Sequence, residues 1–370
     1  MKPKILVLGY TPDITGSNIA LFRLLEEVEK ELDFLLIIPN STYLSSMAKK
    51  RNWNFQVAPI PWLTRNKSPL YWIKYVTQVI HYSFYFKKLV NTYKPDALLV
   101  NCAPNIGWLP GRWLLPQKQR PSTYWLIHEL SLSPAIIFTG VRNTIQKFAE
   151  HIICVSKPVA VSYRSKTTII PNSIPKTTPP RIQNPFTQKP LTFLWVGTAS
   201  PRKGLHLIAN TLKSIQDILG PVKLVLAAGL HEKYQTYYKD CLSNLTGHNI
   251  PVEHHENLEN VDPFYSSGKI LLQTSLEPES FSLVALEAMA HGMLVIASGE
   301  GGIRDYGCHG KNIIFHQELT ESLPEFLKTL TNTPELVHHI QTAAYQTACN
   351  YFPGEAGKSF LNILPKKQNY

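Results

Sequence analysis

The stretch LTFLWVGTASPRKGLHLIANTLKSI, residues 191–215, decides the fold. It opens with a continuous apolar run that ends at Gly197, passes through a short polar turn and continues as a helical pattern. An apolar run without polar alternation predicts a strand that is covered on both faces. The helix that follows predicts one unit of a parallel α/β sheet.

The same alternation of short apolar runs and helical patterns extends in both directions along the chain. The earlier strand candidates are KILVLGY, DFLLIIP, DALLVN, STYWLI, HIICV and TTIIP, and the later ones are LTFLWVG, VKLVLAAG, KILLQT and MLVIAS. Each series begins with a strand that ends in glycine, at Gly9 and at Gly197. We therefore predict two doubly wound α/β domains.

A proline-rich break separates the two series. Residues 175–190, PKTTPPRIQNPFTQKP, contain five prolines and no apolar period, which is typical of a linker. We predict a first domain over 1–174 and a second domain over 191–353. A C-terminal helix over 354–364 is expected to pack back on the first domain.

Composition narrows the class of protein. The chain has 370 residues, 44% of them hydrophobic, and no apolar run long enough to cross a membrane. The apolar run at residues 4–10 is too short for a secretory segment, and the five scattered cysteines lack metal-type spacing. We predict a cytoplasmic protein with reduced thiols.

The net charge of +11 favours nucleic acid, an anionic membrane or a phosphorylated substrate as a partner. The alternative is general solubility. No nucleic-acid-binding module is recognisable, so no nucleic acid partner is expected.

Two cations follow the strand that ends at Gly197. Arg202 and Lys203 precede Gly204, where the next helix is predicted to open. A helix N-terminus attracts anions, while Arg presents a planar fork and Lys a mobile point charge. This pair suits a diphosphate. The alternative is two solvated charges on a turn.

The stretch ESFSLVALE, residues 279–287, carries the second motif. Ser280 or Ser282 can cap a helix that begins near Phe281 and continues through Leu283. The free N–H groups of its first turn can bind phosphate oxygens. We therefore expect these four residues to line a ligand site.

Two carboxylates flank this turn. Glu279 lies just before it and can reach neutral hydroxyls of a ligand, whereas Glu287 lies inside the helix among small apolar residues. A buried carboxylate needs hydrogen-bond donors, and a ribose diol offers two. The alternatives are an exposed turn residue for Glu279 and an ion pair with a basic neighbour for Glu287.

Together these motifs resemble the retaining glycosyltransferases of family 4. Their GT-B fold has two Rossmann-like parallel-sheet domains facing a central cleft, and their motif of Glu, seven residues and Glu matches ESFSLVALE, followed here by AMAHGMLVIAS and GEGGIRD. VGTASPRKG matches the family's phosphate turn, and VSKPVAVSYRSKTTIIPNSIP matches the segment that closes the first domain. The resemblance spans most of the chain.

The resemblance assigns a role to each charged residue of the second domain. It implies that Lys203 and Arg202 hold the donor diphosphate, with Lys203 counted among the catalytic residues. Glu287 would bind ribose, and Glu279 would contact the donor sugar near the reacting carbon.

Three positions depart from the family pattern. Where the family often has Arg after the first glycine of the phosphate turn, this chain has Thr198, with Arg202 as a substitute. Two glycines of the family motif are Ser280 and Ser282 here, which fits if their φ angles are negative.

By the same resemblance the first domain supplies the acceptor side. Gly16 and Ser17, at the family's glycine turn, are expected to bind the donor, and Asn18 the acceptor. The turn is not G-x-G-x-x-G, which argues against an oxidoreductase-type dinucleotide fold. His128, after the strand STYWLI, is expected near the donor sugar, and Asn105 on the acceptor side; a structural role is the alternative for His128.

Residues 61–94 interleave aromatic and basic side chains. The set comprises Trp62, Tyr71, Trp72, Tyr75, Phe84, Arg65, Lys67, Lys74, Lys87 and Lys88. Such mixtures suit a membrane interface, and residues 107–121 repeat the mixture. The alternative is a helix packed on the sheet by its aromatic face, with most of the aromatic residues in the core.

The sequence thus predicts a glycosyltransferase of polysaccharide biosynthesis that moves a sugar from UDP or GDP to an acceptor hydroxyl. The acceptor is expected to be a glycan or lipid-linked glycan, and the anomeric configuration is expected to be retained. Because there is no Asp-x-Asp pair, a metal is not required, and no cofactor is expected. The alternatives are a nucleotide-sugar epimerase or hydrolase of the same fold, and a non-catalytic sugar-nucleotide-binding protein.

Overall fold

The chain forms two compact units. The computed structural model describes residues 2–12, 15–40, 42–64, 68–130, 135–164, 166–258, 260–267, 269–318 and 322–365. Unit 1 comprises Met1–Ser173 and Pro353–Tyr370, and unit 2 comprises Ile174–Phe352.

Unit 1 is built on a parallel seven-stranded sheet with the order β3-β2-β1-β4-β5-β6-β7. Its strands are β1 (Lys4–Leu8), β2 (Asp33–Ile38), β3 (Phe55–Val57), β4 (Ala97–Asn101), β5 (Ser122–Ile127), β6 (His151–Cys154) and β7 (Thr167–Ile169). The central strand β4 is buried along its whole length, which explains its continuous apolar sequence.

The helices of unit 1 alternate with these strands. They are α1 (Gly16–Val28), α2 (Thr42–Lys50), α3 (Pro69–Tyr93), α4 (Leu109–Trp113), α5 (Ala135–Phe148) and α6 (Lys157–Ala160). No helix among the described residues is long and apolar enough to span a membrane.

Unit 2 repeats this architecture with a parallel six-stranded sheet of order β10-β9-β8-β11-β12-β13. Its strands are β8 (Leu191–Thr198), β9 (Val222–Gly229), β10 (Val252–Glu256), β11 (Ile270–Gln273), β12 (Leu294–Ala297) and β13 (Ile314–Phe315). Its helices are α7 (Ile208–Leu219), α8 (Gln235–Gly247), α9 (Asp262–Ser267), α10 (Leu283–Ala290), α11 (Leu323–Thr331) and α12 (Pro334–Cys349). The strand order changes direction between β8 and β11. At such a switch point the connections leave the sheet on opposite sides and form a crevice in which sheets of this kind bind ligands.

The C-terminal helix α13 (Glu355–Ile363) lies against α1 in unit 1. Glu27 of α1 accepts hydrogen bonds from the backbone N–H groups of Gly354 and Gly357, both at 2.8 Å. Tyr124 of β5 donates to the carbonyl of Ile363 at 3.0 Å. These bonds hold the helix to unit 1.

The aromatic residues predicted to fill the core at 61–94 do not all do so. Trp72 and Phe84 lie on the exposed side of α3, 39% and 63% exposed. The buried aromatic residues of this helix are instead Tyr82 and Phe86. Arg65 and Lys67 of the same predicted segment lie outside the described residues.

Candidate functional site

The turn after β8 is fixed against the end of β11. Pro201–Lys203 form a single 3₁₀ turn, closed by Gly204 with a φ of +68°. A Cβ at Gly204 would lie 2.0 Å from the carbonyl oxygen of Thr274, so both the backbone angle and the space require glycine. The carbonyl of Arg202 accepts from the N–H of Leu276 at 2.9 Å.

The sequence predicted that the two cations lie at the opening of the following helix, and this prediction is wrong. A second 3₁₀ turn intervenes, and α7 begins only at Ile208. Arg202 and Lys203 therefore project from a short turn that is anchored to the segment after β11. Its position is set by hydrogen bonds to that segment and not by the dipole of α7.

Glu279 is a buried ion-pair partner, which excludes the alternative of an exposed turn residue. Its side chain is 9% exposed, and its Oε1 lies 2.6 Å from the Nζ of Lys203 and 3.9 Å from Nη1 of Arg202. The hydroxyl of Ser275 donates to the same oxygen at 2.5 Å. The Glu279 carboxylate thus lies within ion-pair distance of both cations of the predicted phosphate turn.

Opposing effects act on the pKa of the Glu279 carboxyl. Burial raises this pKa, but the charge and hydrogen bond of Lys203, the hydrogen bond from Ser275 and the charge of Arg202 outweigh burial and lower the pKa below its usual value. Glu279 is therefore ionised at neutral pH.

A glycine turn fixes the backbone of Glu279. Its carbonyl accepts from the N–H of Gly302, and its N–H donates to the carbonyl of Glu300 at 3.2 Å. A Cβ at Gly301 would lie 2.1 Å from the Glu279 carbonyl oxygen, and the φ of Gly301 is +87°. The glycine pair predicted to follow the motif therefore makes room for the first glutamate.

The helix of the second motif begins later than predicted, and serine does not cap it. α10 starts at Leu283 with Ser282 at the N-cap position, but the Ser282 hydroxyl makes no capping bond and instead donates to Oε1 of Gln273 at 2.9 Å. The φ of Ser282 is +66°, so the condition under which serine replaces glycine without strain is not met at this position. Its carbonyl accepts from Tyr306 at 2.7 Å, which helps to hold this left-handed residue.

Side chains around this turn face different surroundings. Phe281 is 2% exposed and packs against the rings of Tyr306 and Tyr351, so its side chain belongs to the core. Ser280 and Leu283 are partly exposed. The first N–H groups of α10 have no partner within the helix, because every helix leaves these donors free.

Glu287 lies on a helix that is buried almost all round. Its side chain is 9% exposed, and its Oε2 accepts from the hydroxyl of Tyr265 at 2.7 Å. Tyr265, on α9, is itself 2% exposed and stacks on the ring of His291. The phenol of Tyr265 thus provides a hydrogen bond that orients Glu287.

In unit 1 a polar network lies at the ends of β4 and β5. The Nδ2 group of Asn101 donates to Oδ1 of Asn18 at 3.5 Å, which leaves its own Oδ1 3.0 Å from Nε2 of His128. Since an amide oxygen only accepts, Nε2 of His128 carries the proton and Nδ1 carries the lone pair. Burial lowers the pKa of His128 to about 3, so the ring is neutral.

The other acceptor-side candidate, Asn105, is fully buried. Its Nδ2 donates to the carbonyl of Gly9 at 2.8 Å and to that of Asn101 at 3.3 Å. This side chain joins the end of β1 to the end of β4. Its position supports the strand ends that carry the network.

The predicted glycine turn after β1 is the first turn of α1. Gly16 and Ser17 are the first two residues of the helix, which Thr15 caps by accepting from the N–H of Asn18. The hydroxyls of Ser17 and Thr15 are 2.9 Å apart. Asn18 also donates to the carbonyl of Thr11 at 2.9 Å, so it bridges the loop and the network of β4.

Several residues that hold these sites were missed in the sequence. Asn101 and Gln273 are polar residues at the ends of otherwise apolar strands, and Ser275 follows such a strand. Polar residues at the carboxyl ends of parallel strands are the signal that would have found them. Tyr265, in the short helix α9, has no such signal.

The comparisons with known proteins agree with this geometry. Residues 178–347 match the family described as glycosyl transferases group 1. The lipopolysaccharide 1,2-N-acetylglucosaminetransferase of Salmonella typhimurium is 28% identical over 124 residues. That match spans 32% of this chain and 32% of the relative, about a third of its length.

Solved structures resemble the whole chain. HepE of Anabaena in complex with UDP and glucose has a TM-score of 0.80 at 17% identity, over 98% of this chain and 99% of that one. The sucrose-phosphate synthase of Thermosynechococcus elongatus has a TM-score of 0.74 at 16% identity, over 98% of both chains. At these identities the likeness concerns the fold, and it confirms the predicted architecture of two parallel-sheet α/β domains.

Proposed function

We propose that this chain, whose residues 178–347 match the family described as glycosyl transferases group 1, transfers a sugar from a nucleoside-diphosphate sugar to an acceptor hydroxyl. The observation that carries the proposal is the pairing of Lys203 and Arg202 with the buried Glu279, beside the first turn of α10. This arrangement offers positive charge to a diphosphate and a carboxylate to the sugar next to it.

The diphosphate binds through Lys203, Arg202 and the free N–H groups of α10. Arg202 is the more accessible of the two, with 42% of its side chain exposed against 20% for Lys203. Cations and oriented N–H groups stabilise the negative charge that develops on a leaving diphosphate. Lys203 is paired with Glu279, so the diphosphate competes for a cation that is already in place.

Glu287 accepts hydrogen bonds from the ribose hydroxyls. A carboxylate has about four lone-pair positions, so the bond from Tyr265 leaves it able to accept others. Tyr265 holds the carboxylate in orientation, which reduces the entropy that ordering would cost on binding.

Glu279 lies next to the donor sugar and acts on the reacting carbon. Positive character develops at that carbon as the diphosphate leaves, and an ionised carboxylate stabilises it more in the transition state than in the ground state. The lowered pKa of Glu279 keeps the carboxylate charged for this role. Retention of the anomeric configuration is part of the proposal, on the resemblance to family 4.

The neutral network of unit 1 serves hydroxyl recognition. We propose that His128 offers the lone pair of its Nδ1 to a sugar hydroxyl and that Gly16, Ser17 and Asn18 form the neighbouring surface. Asn105 supports this network through its hydrogen bonds to the carbonyls of Gly9 and Asn101. The amides of Asn18 and Asn101 and the neutral imidazole of His128 suit neutral groups of a sugar or a glycan acceptor.

UDP is the proposed nucleotide, because the HepE structures of similar fold contain UDP, UDP with glucose, or UDP-glucose. A glycan is the proposed acceptor, because the curated relative is a lipopolysaccharide N-acetylglucosaminetransferase. The reaction requires no residue-bound cofactor in this proposal.

The test is a thermal-shift screen of the full chain against UDP-, GDP- and ADP-sugars, followed by product analysis. Saturation at one hundred times the dissociation constant adds about 2.7 kcal/mol to stability. We expect stabilisation by UDP-sugars and transfer only when a glycan acceptor is present. Release of free sugar or an epimer at an equal rate without acceptor would favour a hydrolase or epimerase, and no shift with any nucleotide would exclude the donor site.

A further inference from the structure

Helix α3 has two apolar faces, and only one of them is covered by its own unit. The covered face contains Tyr82, Phe86, Leu89 and Val90, all buried. With 3.6 residues per turn, these positions lie on one side of the helix. This side packs on the rest of unit 1.

The opposite side carries a second row of apolar side chains that is open to solvent. Its members and their exposed fractions are Leu70 77%, Ile73 63%, Val76 53%, Ile80 52% and Phe84 63%. We call this row the α3 stripe. Spacings of three and four residues keep the row on one face, and it is about 20 Å long at the rise of an α-helix.

An exposed apolar row of this length is unusual on a protein that has no partner for it. Single exposed apolar residues are common, but consecutive ones at helical spacing mark an interaction surface. The stripe is flanked by Lys74, Lys87 and Lys88, all exposed, and α3 contains no acidic residue.

The charge of the whole chain is concentrated around this helix. Residues 34–128 contain twelve lysines and arginines against the single acidic residue Asp96. This segment therefore carries a net charge equal to the +11 of the chain, and the rest of the chain is neutral. The partner of the stripe must tolerate or attract this positive field.

We propose that the α3 stripe docks on an anionic lipid surface, with its apolar side chains at the acyl boundary and its lysines on the headgroup phosphates. A second copy of the chain is a poor occupant, because it would bring two segments of the same positive charge together. An anionic bilayer satisfies the apolar row and the charge at the same time. The surface goes beyond sugar transfer and would place the enzyme beside membrane-bound acceptors.

The test is co-sedimentation of the full chain with vesicles of phosphatidylglycerol and phosphatidylcholine in equal parts, and with vesicles of phosphatidylcholine alone. One variant combines Ile73→Gln, Ile80→Gln and Phe84→Gln. A second combines Lys74→Gln, Lys87→Gln and Lys88→Gln. A matched control removes three exposed cations of unit 2 by Lys239→Gln, Lys311→Gln and Lys328→Gln.

Each lysine near an anionic surface contributes roughly a fivefold gain in affinity, so the lysine variant should bind about a hundredfold more weakly. The apolar variant should lose at least about tenfold, and the unit 2 control should bind nearly as wild type. Binding of the wild type should fall as salt rises.

Three results would overturn the proposal: unchanged binding of both α3 variants, equal wild-type binding to neutral vesicles, or wild-type self-association that the apolar variant abolishes. UDP binding and thermal midpoints are measured on the same samples without vesicles. If the wild type does not bind UDP, the proposed function is contradicted, while the result on membrane docking still holds.

Discussion

The candidate sites of the two units lie on the same kind of sheet but differ in the charge of their side chains. In unit 2 the turn after β8 and the end of β11 bring Lys203 and Arg202 to a carboxylate, Glu279. In unit 1 the ends of β4 and β5 bring together amides and a neutral imidazole, through Asn101 and His128. Parallel strand ends therefore fix where a ligand binds, and the side chains that follow them decide whether the ligand is charged.

The largest effect is expected from Glu279→Gln. The change preserves volume but removes the negative charge that we propose lies beside the reacting carbon, so kcat should fall by about a hundredfold or more. Affinity for UDP should stay the same or increase, because Lys203 loses its competing partner. Steady-state kinetics and calorimetry measure the two effects separately.

The control is Glu277→Gln, which changes an exposed carboxylate two residues away. It should leave both quantities near wild type. If Glu279→Gln kept a normal kcat, the charge of Glu279 would have no role in the reaction, and the contrast between a charged and a neutral site would fail.

The next effect concerns binding of the nucleoside. Glu287→Gln should raise KM for the donor by roughly tenfold to a hundredfold with little change in kcat, because its hydrogen bonds are made equally before and during reaction. Tyr265→Phe removes the hydrogen bond from Tyr265 to Glu287 and leaves the carboxylate in place, so its effect should be smaller, about fivefold. Donor titration of both variants checks this order.

If Glu287→Gln unfolds the protein while Tyr265→Phe leaves KM unchanged, Glu287 has a structural role. Thermal midpoints of both variants, measured beside the kinetics, separate the two cases.

A pH experiment sharpens the contrast between the units. The folded pKa of His128, about 3, lies below its usual 6.5, so below pH 6.5 the unfolded chain takes up a proton that the folded ring does not. The free energy of unfolding therefore decreases as the pH decreases, by at most about 1.4 kcal/mol per pH unit for this residue. His128→Gln should flatten this dependence between about pH 6.5 and 5.

Glu279 should contribute nothing to the slope in that window. Its folded pKa is lowered, so its stabilising contribution is complete above the usual value of 4.5 and is lost only as the pH falls through the folded pKa. Urea unfolding of the wild type and of His128→Gln measures the slopes. Parallel slopes would contradict a neutral, partly buried His128.

The smallest effect tests the strained residue before α10. Ser282→Ala should destabilise the protein by about 1–2 kcal/mol, because Gln273 loses its hydrogen bond while the left-handed backbone remains. Ser282→Gly loses the same bond but relieves the backbone, so it should be roughly 1 kcal/mol more stable than the alanine variant. Urea midpoints decide, and equal midpoints would show that φ of +66° carries no strain.

Much of the fold was predictable because central parallel strands are buried on both faces. All ten predicted strands are present, and the three further strands among the described residues, β3, β10 and β13, lie at edges of the sheets. Edge strands lack a continuous apolar run: β10 reads VEHHE, and none of its five residues is fully buried. Such strands are defined by their neighbours and not by their own sequence.

The candidate site was less predictable, because local rules competed with tertiary contacts. Serine before a helix normally caps it, but Ser282 is turned into the left-handed region, where Gln273 and Tyr306 take up its polar atoms. The ion pair of Glu279 joins residues 76 positions apart, which no local pattern shows. The resemblance to glycosyltransferases, carried by motifs with fixed spacing, is confirmed by the family match over 178–347.

The central claim is that Lys203 leaves Glu279 to hold the diphosphate of a nucleotide donor. The direct measurement is calorimetric titration of UDP into the wild type, Lys203→Gln and the control Lys213→Gln, whose lysine pairs with Asp217 on the exposed side of α7. We predict that Lys203→Gln weakens UDP binding by roughly tenfold to a hundredfold, the loss of a hydrogen bond between charged groups, while Lys213→Gln binds as wild type. Equal affinity of all three proteins for UDP, with Lys203→Gln folded, would contradict the account.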